Sequence, residues 1–256
     1  MNKLIVSLGD LPNMGRSVCG EIWSGLMSRR GVCHQLVQSS PDQITASPSA
    51  VSLLNEGKWT LRDLIPILDD APAVFIDVAT GDGPAFASFF ERREVGDVLD
   101  ELDFALTILL PITDSPKSEE AAMEFAEVFR QHADFVLMRR AVDGARPGAF
   151  AVPAAERAMY HLGAQELLVP ALPEVLEAAL HENGGELTRL LAERRRLPRP
   201  MAQVLHSWEL DYATQIEAMG DLLCPGDLRR IKPGETIELP ASRRSYASSE
   251  TTGDWV

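Results

Sequence analysis

Short segments rich in apolar residues recur along the chain and alternate with segments of helical character, and this alternation limits the fold more than any other feature. Such segments are nearly continuous in apolar residues, which is typical of parallel strands buried on both faces of a sheet. The sequence therefore predicts an α/β fold, a three-layer sandwich with a mostly parallel central sheet. We predict strands at residues 3–8, 32–38, 73–78, 104–110, 134–138 and 166–169.

Helical segments fill the intervening chain and dominate its last third. Residues 16–30 and 118–131 carry apolar side chains at helical spacing, and Gly31 is placed to end the first of these helices. We predict one domain over residues 1–223, followed at 224–256 by an irregular or partly disordered tail rich in Pro, Gly, Ser and Thr. Further helices are expected at residues 174–181, 186–196 and 200–223.

The charge of the chain limits its partners. The 256 residues include 24 basic and 38 acidic side chains, a formal net charge of −14. A broad DNA-coating surface needs Lys and Arg to displace counterions, so this composition argues against one. One basic run stands out from this acidic composition and consists of Arg189, Arg194, Arg195, Arg196 and Arg199. Two interpretations of this run stay open, a solvated helix face and a local contact with DNA or an acidic partner.

Cysteine usage and hydropathy bear on the compartment. The three cysteines, Cys19, Cys33 and Cys224, form no CxxC pair, so neither a disulfide scaffold nor a cysteine zinc site is expected. The chain has no apolar stretch of about 20 residues for a membrane span and no signal-peptide pattern at its start. We therefore expect a cytoplasmic protein.

The segment between the first strand and the first helix is the most informative one for function. Its Gly15-Arg16-Ser17 stands where phosphate-binding loops carry Gly-Lys-Ser/Thr, at the start of a helix whose N–H groups can hold phosphate oxygens. Arg16 offers a positive charge to phosphates, and Ser17 offers a hydroxyl to magnesium. Asp10 and Pro12 depart from the standard loop, so a plain strand–helix turn stays open as the alternative.

The order of several short motifs resembles the ParA/MinD-type deviant P-loop ATPases. The resemblance rests on the first strand, on the motif at residues 15–17, and on Asp77, which ends a buried strand and precedes a turn with Gly81. An isolated charge is costly at such a strand end, which itself favours a functional role for Asp77. Residues 109–112, 135–140 and 168–173 also follow the family's order, so the resemblance covers roughly residues 1–175. Within the superfamily the chain looks most like the plasmid-stability and conjugation-accessory branch.

The resemblance implies a P-loop NTPase-like domain that binds ATP or ADP with Mg²⁺ and forms a homodimer. Ser17 and Asp77 are the residues implied for magnesium, and no catalytic residue is assigned. The implied phosphate-binding residues are Asn13, Met14, Gly15, Arg16, Ser17, Val18 and Gly81. The residues implied on the side of the base are Arg140, Pro170, Ala171 and Leu172.

Three positions depart from the family pattern. Leu11 stands near the place of the lysine that reaches across the family's dimer, and Ser40 stands in place of a carboxylate that helps position water or magnesium. Arg140 replaces an asparagine that contacts adenine. Hydrolysis needs charge stabilisation and an oriented water, so these changes imply a weak ATPase at most.

The resemblance implies a switch in plasmid maintenance, conjugation or intracellular positioning, with protein partners from a partition or transfer apparatus. Asp10 and Pro12 favour an alternative, in which the chain is a non-catalytic pseudo-NTPase adaptor that binds protein partners. A further alternative is a small-molecule kinase or ligase of the P-loop class, for which the sequence identifies no substrate pocket.

Overall fold

A single sheet organises the computed structural model, which describes residues 1–9, 15–39, 50–52, 59–113, 115–140, 152–182 and 187–225. Every neighbouring pair of strands within these ranges is parallel. The strands are β1 (Asn2–Ser7), β2 (His34–Gln38), β3 (Ala50–Ser52), β4 (Ala73–Asp77), β5 (Phe104–Ile112), β6 (Ala133–Arg140) and β7 (Gln165–Val169). Their order across the sheet is β3-β2-β4-β1-β5-β6-β7.

Helices cover both faces of the sheet, so the predicted three-layer α/β sandwich is confirmed, together with its helical C-terminal part. One face carries α2 (Leu61–Asp70), α3 (Gly83–Arg92), α4 (Val95–Glu101), α5 (Pro116–Phe129) and α6 (Pro153–His161). The other face carries α1 (Arg16–Arg30), α7 (Glu174–Glu182), α8 (Leu187–Ala192) and α9 (Arg199–Ala218). Short 3-10 turns follow α8 at Arg194–Arg196 and α9 at Gly220–Leu222.

The continuous apolar character of the strands follows from this layering. Successive side chains of a strand point to opposite faces, so Leu4 and Val6 enter the core beneath α2–α6, whereas Ile5 enters the core beneath α1 and α9. All three are at most 1% exposed. A central strand of this sheet has no solvent-facing side, and its sequence therefore shows no alternation of apolar and polar residues.

Two glycines fix the position of α1. Gly31 ends the helix in the left-handed region at φ 66°, as predicted, and its N–H donates to carbonyls of the last turn. Gly20 faces the sheet, where an added Cβ would lie 2.9 Å from Leu36 Cδ1 and 3.2 Å from Phe75 Cε1. The helix therefore lies closer to β2 and β4 than a larger residue at position 20 would permit.

Several element boundaries differ from the sequence expectation. No strand is predicted between residues 39 and 72, but residues 50–52 pair with β2 as the short edge strand β3. Strand β5 runs through Pro111 to Ile112, whereas the sequence places its end at residue 110. The helix expected at 186–196 is shorter, because α8 ends at Ala192 and a separate 3-10 turn follows. Helices α2, α3, α4 and α6 were not anticipated.

After β1 and after β5, the chain continues towards opposite edges of the sheet. From β1 it passes through α1 to β2, on the β4 side, and from β5 it passes through α5 to β6, on the far side. Strands β1 and β5 are neighbours, so the order of connection reverses between them. In open parallel sheets, ligands bind in the crevice at the carboxyl ends of the strands at this reversal point.

The predicted tail lies almost wholly outside the described residues, since only Cys224 and Pro225 of 224–256 are described. The division into a domain over residues 1–223 and an irregular tail stays a prediction. None of the helices in the described ranges combines the length and the apolar character that a membrane crossing requires.

Candidate functional site

The start of α1 forms the backbone part of the site. Gly15 precedes the helix with φ 78°, a left-handed conformation that favours glycine, and its carbonyl accepts from Cys19 N at 2.9 Å. Among the described residues, no heavy atom lies within 4 Å of the position that a Cβ of Gly15 would take, apart from its own chain neighbours. Gly15 is therefore not packed against another described part of the chain, and the first N–H groups of α1 follow it directly. The candidate phosphate residues Asn13 and Met14 lie outside the described residues, as do Asp10, Leu11 and Pro12.

Ser17 and Asp77 meet at the carboxyl end of the sheet. Ser17 Oγ donates to Asp77 Oδ2 at 2.6 Å, although 60 residues separate the two. Asp77 is the last residue of β4, is fully buried, and stands in register with Ser7 of β1 and Gln38 of β2. The structure thus brings together the two residues that the sequence singles out for magnesium.

Around Ser17 and Asp77, only some of the buried polar atoms have hydrogen-bond partners. Asp77 Oδ1 and Ser7 Oγ are buried, and neither has a hydrogen-bond partner in the part of the chain that the structure describes. Burial raises the pKa of the Asp77 carboxyl, while the Arg16 charge and the Ser17 hydrogen bond act in the opposite direction. Unpaired buried polar atoms cost free energy, so these two oxygens have unused capacity to bind an ion or a hydrogen-bond donor. Carboxylate and hydroxyl oxygens suit Mg²⁺, so the residues present fit this metal.

Arg16 contacts the loop that follows β4. Its side chain is buried, with Nη1 donating to Val78 O and Nη2 to Thr80 Oγ1, both at 2.8 Å. The planar fork of arginine makes both bonds at once, which the single ammonium group of lysine does less well. Arg16 therefore ties the start of α1 to the turn that contains Gly81, an exposed residue at φ 90°.

The other candidate phosphate residue, Val18, is buried in the core beneath α1, so only its backbone can contribute to a phosphate site. Ser39 reinforces the same corner and was missed in the sequence. Its N–H donates to Asp77 O at 3.1 Å, and its Oγ accepts from Ala79 N at 2.6 Å. Ser7 was also missed. The only sequence pattern that points to Ser7 or Ser39 as a site residue is a serine at the carboxyl end of an apolar strand. Ser40 lies outside the described residues.

The candidate base-side residues lie together at the carboxyl ends of β6 and β7, on the opposite side of β1 from β4. Strand β6 ends at Arg140, in register with Val169, and residues 170–172 follow directly. Trp208 Nε1 of α9 donates to Pro170 O at 3.2 Å, and Leu172 packs partly against the core beneath α9. The three residues that follow β7, Pro170, Ala171 and Leu172, are half-buried, and none of them has a charged side chain.

The basic run is partly neutralised by its own neighbours. Arg189 and Arg196 pair with Glu193, at 3.5 Å and 3.3 Å, and Arg194 pairs with Glu209 at 3.4 Å. All three arginines are more than half exposed, where such pairs are weak and partners can exchange. Arg195 and Arg199 are exposed as well. Among the described residues, no group of three or more His, Cys, Asp or Glu side chains is arranged to hold a metal ion.

Comparison with known proteins gives no family. No family model matches the chain, and no curated protein matches it. Among solved structures, a chain of the MinC:MinD cell division protein complex of Aquifex aeolicus is 12% identical, with a TM-score of 0.47; the match covers 85% of this chain and 96% of that one. An ATP complex of a McdA variant from Cyanothece is 15% identical, with a TM-score of 0.43, and the match covers 86% and 96%.

A third similar structure is the signal recognition particle 54 kDa protein of Aeropyrum pernix K1 in complex with GDP. It is 15% identical, with a TM-score of 0.42, and the match covers 86% of this chain but only 50% of that protein.

Proposed function

We propose that this chain is a ParA/MinD-like nucleotide-binding protein that takes ATP or ADP with Mg²⁺ at the carboxyl ends of β1 and β4. The observation that carries the proposal is the contact between Ser17 and Asp77, beside two buried oxygens, Asp77 Oδ1 and Ser7 Oγ, that have no partner among the described residues. A hydroxyl from the first turn of a helix and a carboxylate from a neighbouring strand end are the ligands that phosphate-bound magnesium uses.

The residues divide the work by their chemistry. The N–H groups from Gly15 to Val18 would hold phosphate oxygens at the start of α1, and Gly81 would let the loop after β4 approach them. Ser17 and Asp77 would hold Mg²⁺, which supplies charge neutralisation for the phosphates. Asn13 and Met14 complete the proposed phosphate loop, and the base would lie towards Arg140 and residues 170–172.

The contacts of Arg16 affect both nucleotide binding and nucleotide hydrolysis. Arg16 donates to Val78 O and Thr80 Oγ1, both at 2.8 Å, and a full turn of its guanidinium towards a phosphate would break these bonds. We infer that nucleotide binding and the position of the loop after β4 are coupled through this side chain. This coupling suits a slow switch that works as a homodimer with protein partners, in plasmid maintenance, conjugation or intracellular positioning.

A pseudo-NTPase adaptor is the second candidate, and the same side chain favours it. Two N–H groups of Arg16 already donate to Val78 O and Thr80 Oγ1, so this side chain can support the loop after β4 without any nucleotide. In that case the chain would bind protein partners without turnover. Binding measurements separate the two candidates directly.

Isothermal titration with ATP and ADP, with and without Mg²⁺, tests the proposal. We expect saturable binding to wild type, weakened by about ten-fold or more in Arg16→Ala, because a hydrogen bond to a charged group contributes about 1.5–3 kcal/mol. Asp77→Asn should weaken binding only when Mg²⁺ is present, since it removes a metal ligand and leaves the phosphate contacts.

Matched controls are available away from the site. Arg157→Ala on α6 removes an exposed arginine, and Ser88→Ala on α3 removes a half-buried hydroxyl, so neither should change nucleotide affinity. Absence of heat with either nucleotide under all conditions, for a folded protein, would favour the adaptor. Brisk Mg²⁺-dependent hydrolysis would contradict the slow-switch part of the proposal.

A further inference from the structure

A cavity of about 190 Å³ opens at the reversal point of the sheet. Its walls come from Leu8 and Gly9 after β1, from Pro111 near the end of β5, and from the first two turns and the middle of α5. Helix α5 covers the face of the sheet opposite α1, so this cavity lies on the other side of β1 from the proposed phosphate site. The topology of a parallel sheet places ligands at this crevice.

Gly9 lies beside both the cavity and the stem of Arg16. A Cβ at this position would lie 2.6 Å from Pro111 Cγ and 3.8 Å from Arg16 Cδ. The backbone of Gly9 therefore fits against Pro111 more closely than a larger residue would permit, and the stem of Arg16 lies close by. The two sites are adjacent, but they are lined by different side chains.

Among the described residues that line the cavity, Lys117 and Ser118 have polar side chains and the others are glycine or apolar. Ala121, Ala122 and Phe125 line it from α5, and Lys117 lies at its exposed edge. The ammonium of Lys117 pairs with no carboxylate in the ranges that the structure describes.

The one hydroxyl in the lining is already used. Ser118 Oγ donates within the turn that precedes α5, to Ser115 O at 2.8 Å, and accepts from Thr113 N at 3.0 Å. The lining therefore offers apolar surface and one positive charge, which together suit an apolar molecule that carries a single anionic group.

The volume limits the size of that molecule. An apolar cavity of about 150 Å³ can hold benzene, and pockets for drug-sized ligands span about 300–1,000 Å³. A space of about 190 Å³ is therefore too small for a nucleotide and suits one aromatic ring or a short alkyl chain.

We propose that this cavity binds a small monocarboxylate, with its ring or chain between Pro111 and Phe125 and its carboxylate on Lys117. The ligand is distinct from the nucleotide of the proposed function, and its binding does not require that function. Because Gly9 lines the cavity and lies close to Arg16, this second ligand would lie near the proposed phosphate site.

Benzoate is the probe that we would use, with benzamide as its neutral counterpart of nearly the same shape. Titration followed by ligand-observed NMR, without nucleotide or Mg²⁺, should show saturable benzoate binding with a Kd of about 1 mM or tighter. Lys117→Gln should weaken benzoate by about two- to five-fold and leave benzamide unchanged, because an exposed charge contact contributes up to about 1 kcal/mol.

Filling the cavity tests its location. Ala121→Phe places a ring into the space from a half-buried position on α5, and it should abolish binding of both probes. The matched control, Met123→Phe, changes an exposed residue of the same helix and should keep wild-type affinity. Arg130→Gln, at the far end of the helix, controls for loss of positive charge.

Three results would overturn the proposal. They are the absence of benzoate binding at about 10 mM, unchanged benzoate affinity in Ala121→Phe, and unchanged benzoate affinity in Lys117→Gln. Circular dichroism of each variant shows whether it is folded, and Lys117→Gln keeps the test valid if Ala121→Phe does not fold. Failure of nucleotide binding would leave these measurements unaffected, since no nucleotide is present.

Discussion

At the scale of single residues, burial decides how the ionisable side chains behave. Cys19 is fully buried in α1, where loss of hydration raises the pKa of its thiol to about 12. Burial also raises the pKa of Cys224, whereas Cys33 is exposed. Cys19 lies in the core beneath α1, where it acts as a small packing residue.

Thiol labelling follows from these positions. We expect iodoacetamide at pH 8 to modify Cys33 quickly and to leave Cys19 and Cys224 unmodified in the folded protein. A pKa of about 12 leaves on the order of one Cys19 thiol in 10,000 ionised at pH 8, and the thiolate is the reactive form. Its reactivity should increase as the pH rises towards 12. Mass spectrometry of the peptides gives the rates, and fast labelling of Cys19 at pH 8 in folded protein would contradict the structure.

At the scale of elements, the fit of α1 against the sheet depends on which glycine faces it. Gly20 and Gly25 lie in the same helix, and neither has a positive φ. A Cβ at Gly20 would lie within 3.0 Å of Leu36, whereas one at Gly25 would meet only Arg29 Nη1 at 3.7 Å. The same substitution should therefore have opposite effects at the two positions.

Glycine-to-alanine variants test this packing. Gly20→Ala should lower the free energy of unfolding by about 1–3 kcal/mol, because the added methyl overpacks α1 against β2. Gly25→Ala should raise it by about 0.5–1 kcal/mol, because alanine loses less backbone entropy in a helix. Urea denaturation at pH 7 measures both. A stabilising effect of Gly20→Ala would show that α1 does not lie as close to the sheet as described.

The elements that the sequence missed are short or contain residues that usually end helices. Helix α2 carries Leu61, Leu64 and Leu68 at helical spacing, but Pro66 lies within it. Helix α3 begins at Gly83-Pro84, and α4 has only seven residues. Strand β3 has three residues at the sheet edge. By contrast β1, β4, β5 and β6 were found to within two residues, because a buried parallel strand needs an apolar run whatever its neighbours are.

At the scale of the whole molecule, the 3-10 turn at Gly220–Leu222 and the residue after it pack against the centre of the fold. Trp23 Nε1 of α1 donates to Leu223 O at 2.7 Å, and Thr107 Oγ1 of β5 donates to Leu222 O at 2.7 Å. These bonds join residues that are 200 and 115 positions apart. They satisfy carbonyls at the end of the 3-10 turn that would otherwise be buried without partners.

A pair of tryptophan variants tests the hydrogen bond between Trp23 and Leu223. Trp23→Phe should lower the free energy of unfolding by about 1–3 kcal/mol beyond its loss of apolar area, since Leu223 O is left unsatisfied. Trp59→Phe is the matched control, because Trp59 is also buried but its Nε1 has no hydrogen-bond partner in the described residues. Hydrogen exchange should show faster exchange at residues 220–224 in Trp23→Phe only. Equal losses in the two variants would contradict the proposed role of the bond.

The sequence by itself determined the fold class, the approximate positions of the strands and the helix that begins at Arg16, because local apolar patterns and helix-ending residues act over a few neighbours. It also placed Ser17 and Asp77 at the ends of elements. Only the tertiary structure decided that these two side chains meet at 2.6 Å, that Arg16 bonds to the loop after β4, and that a cavity lies beside Gly9. Contacts across 60 or more residues depend on strand order and helix placement, which the packing of the whole chain sets and no local pattern encodes.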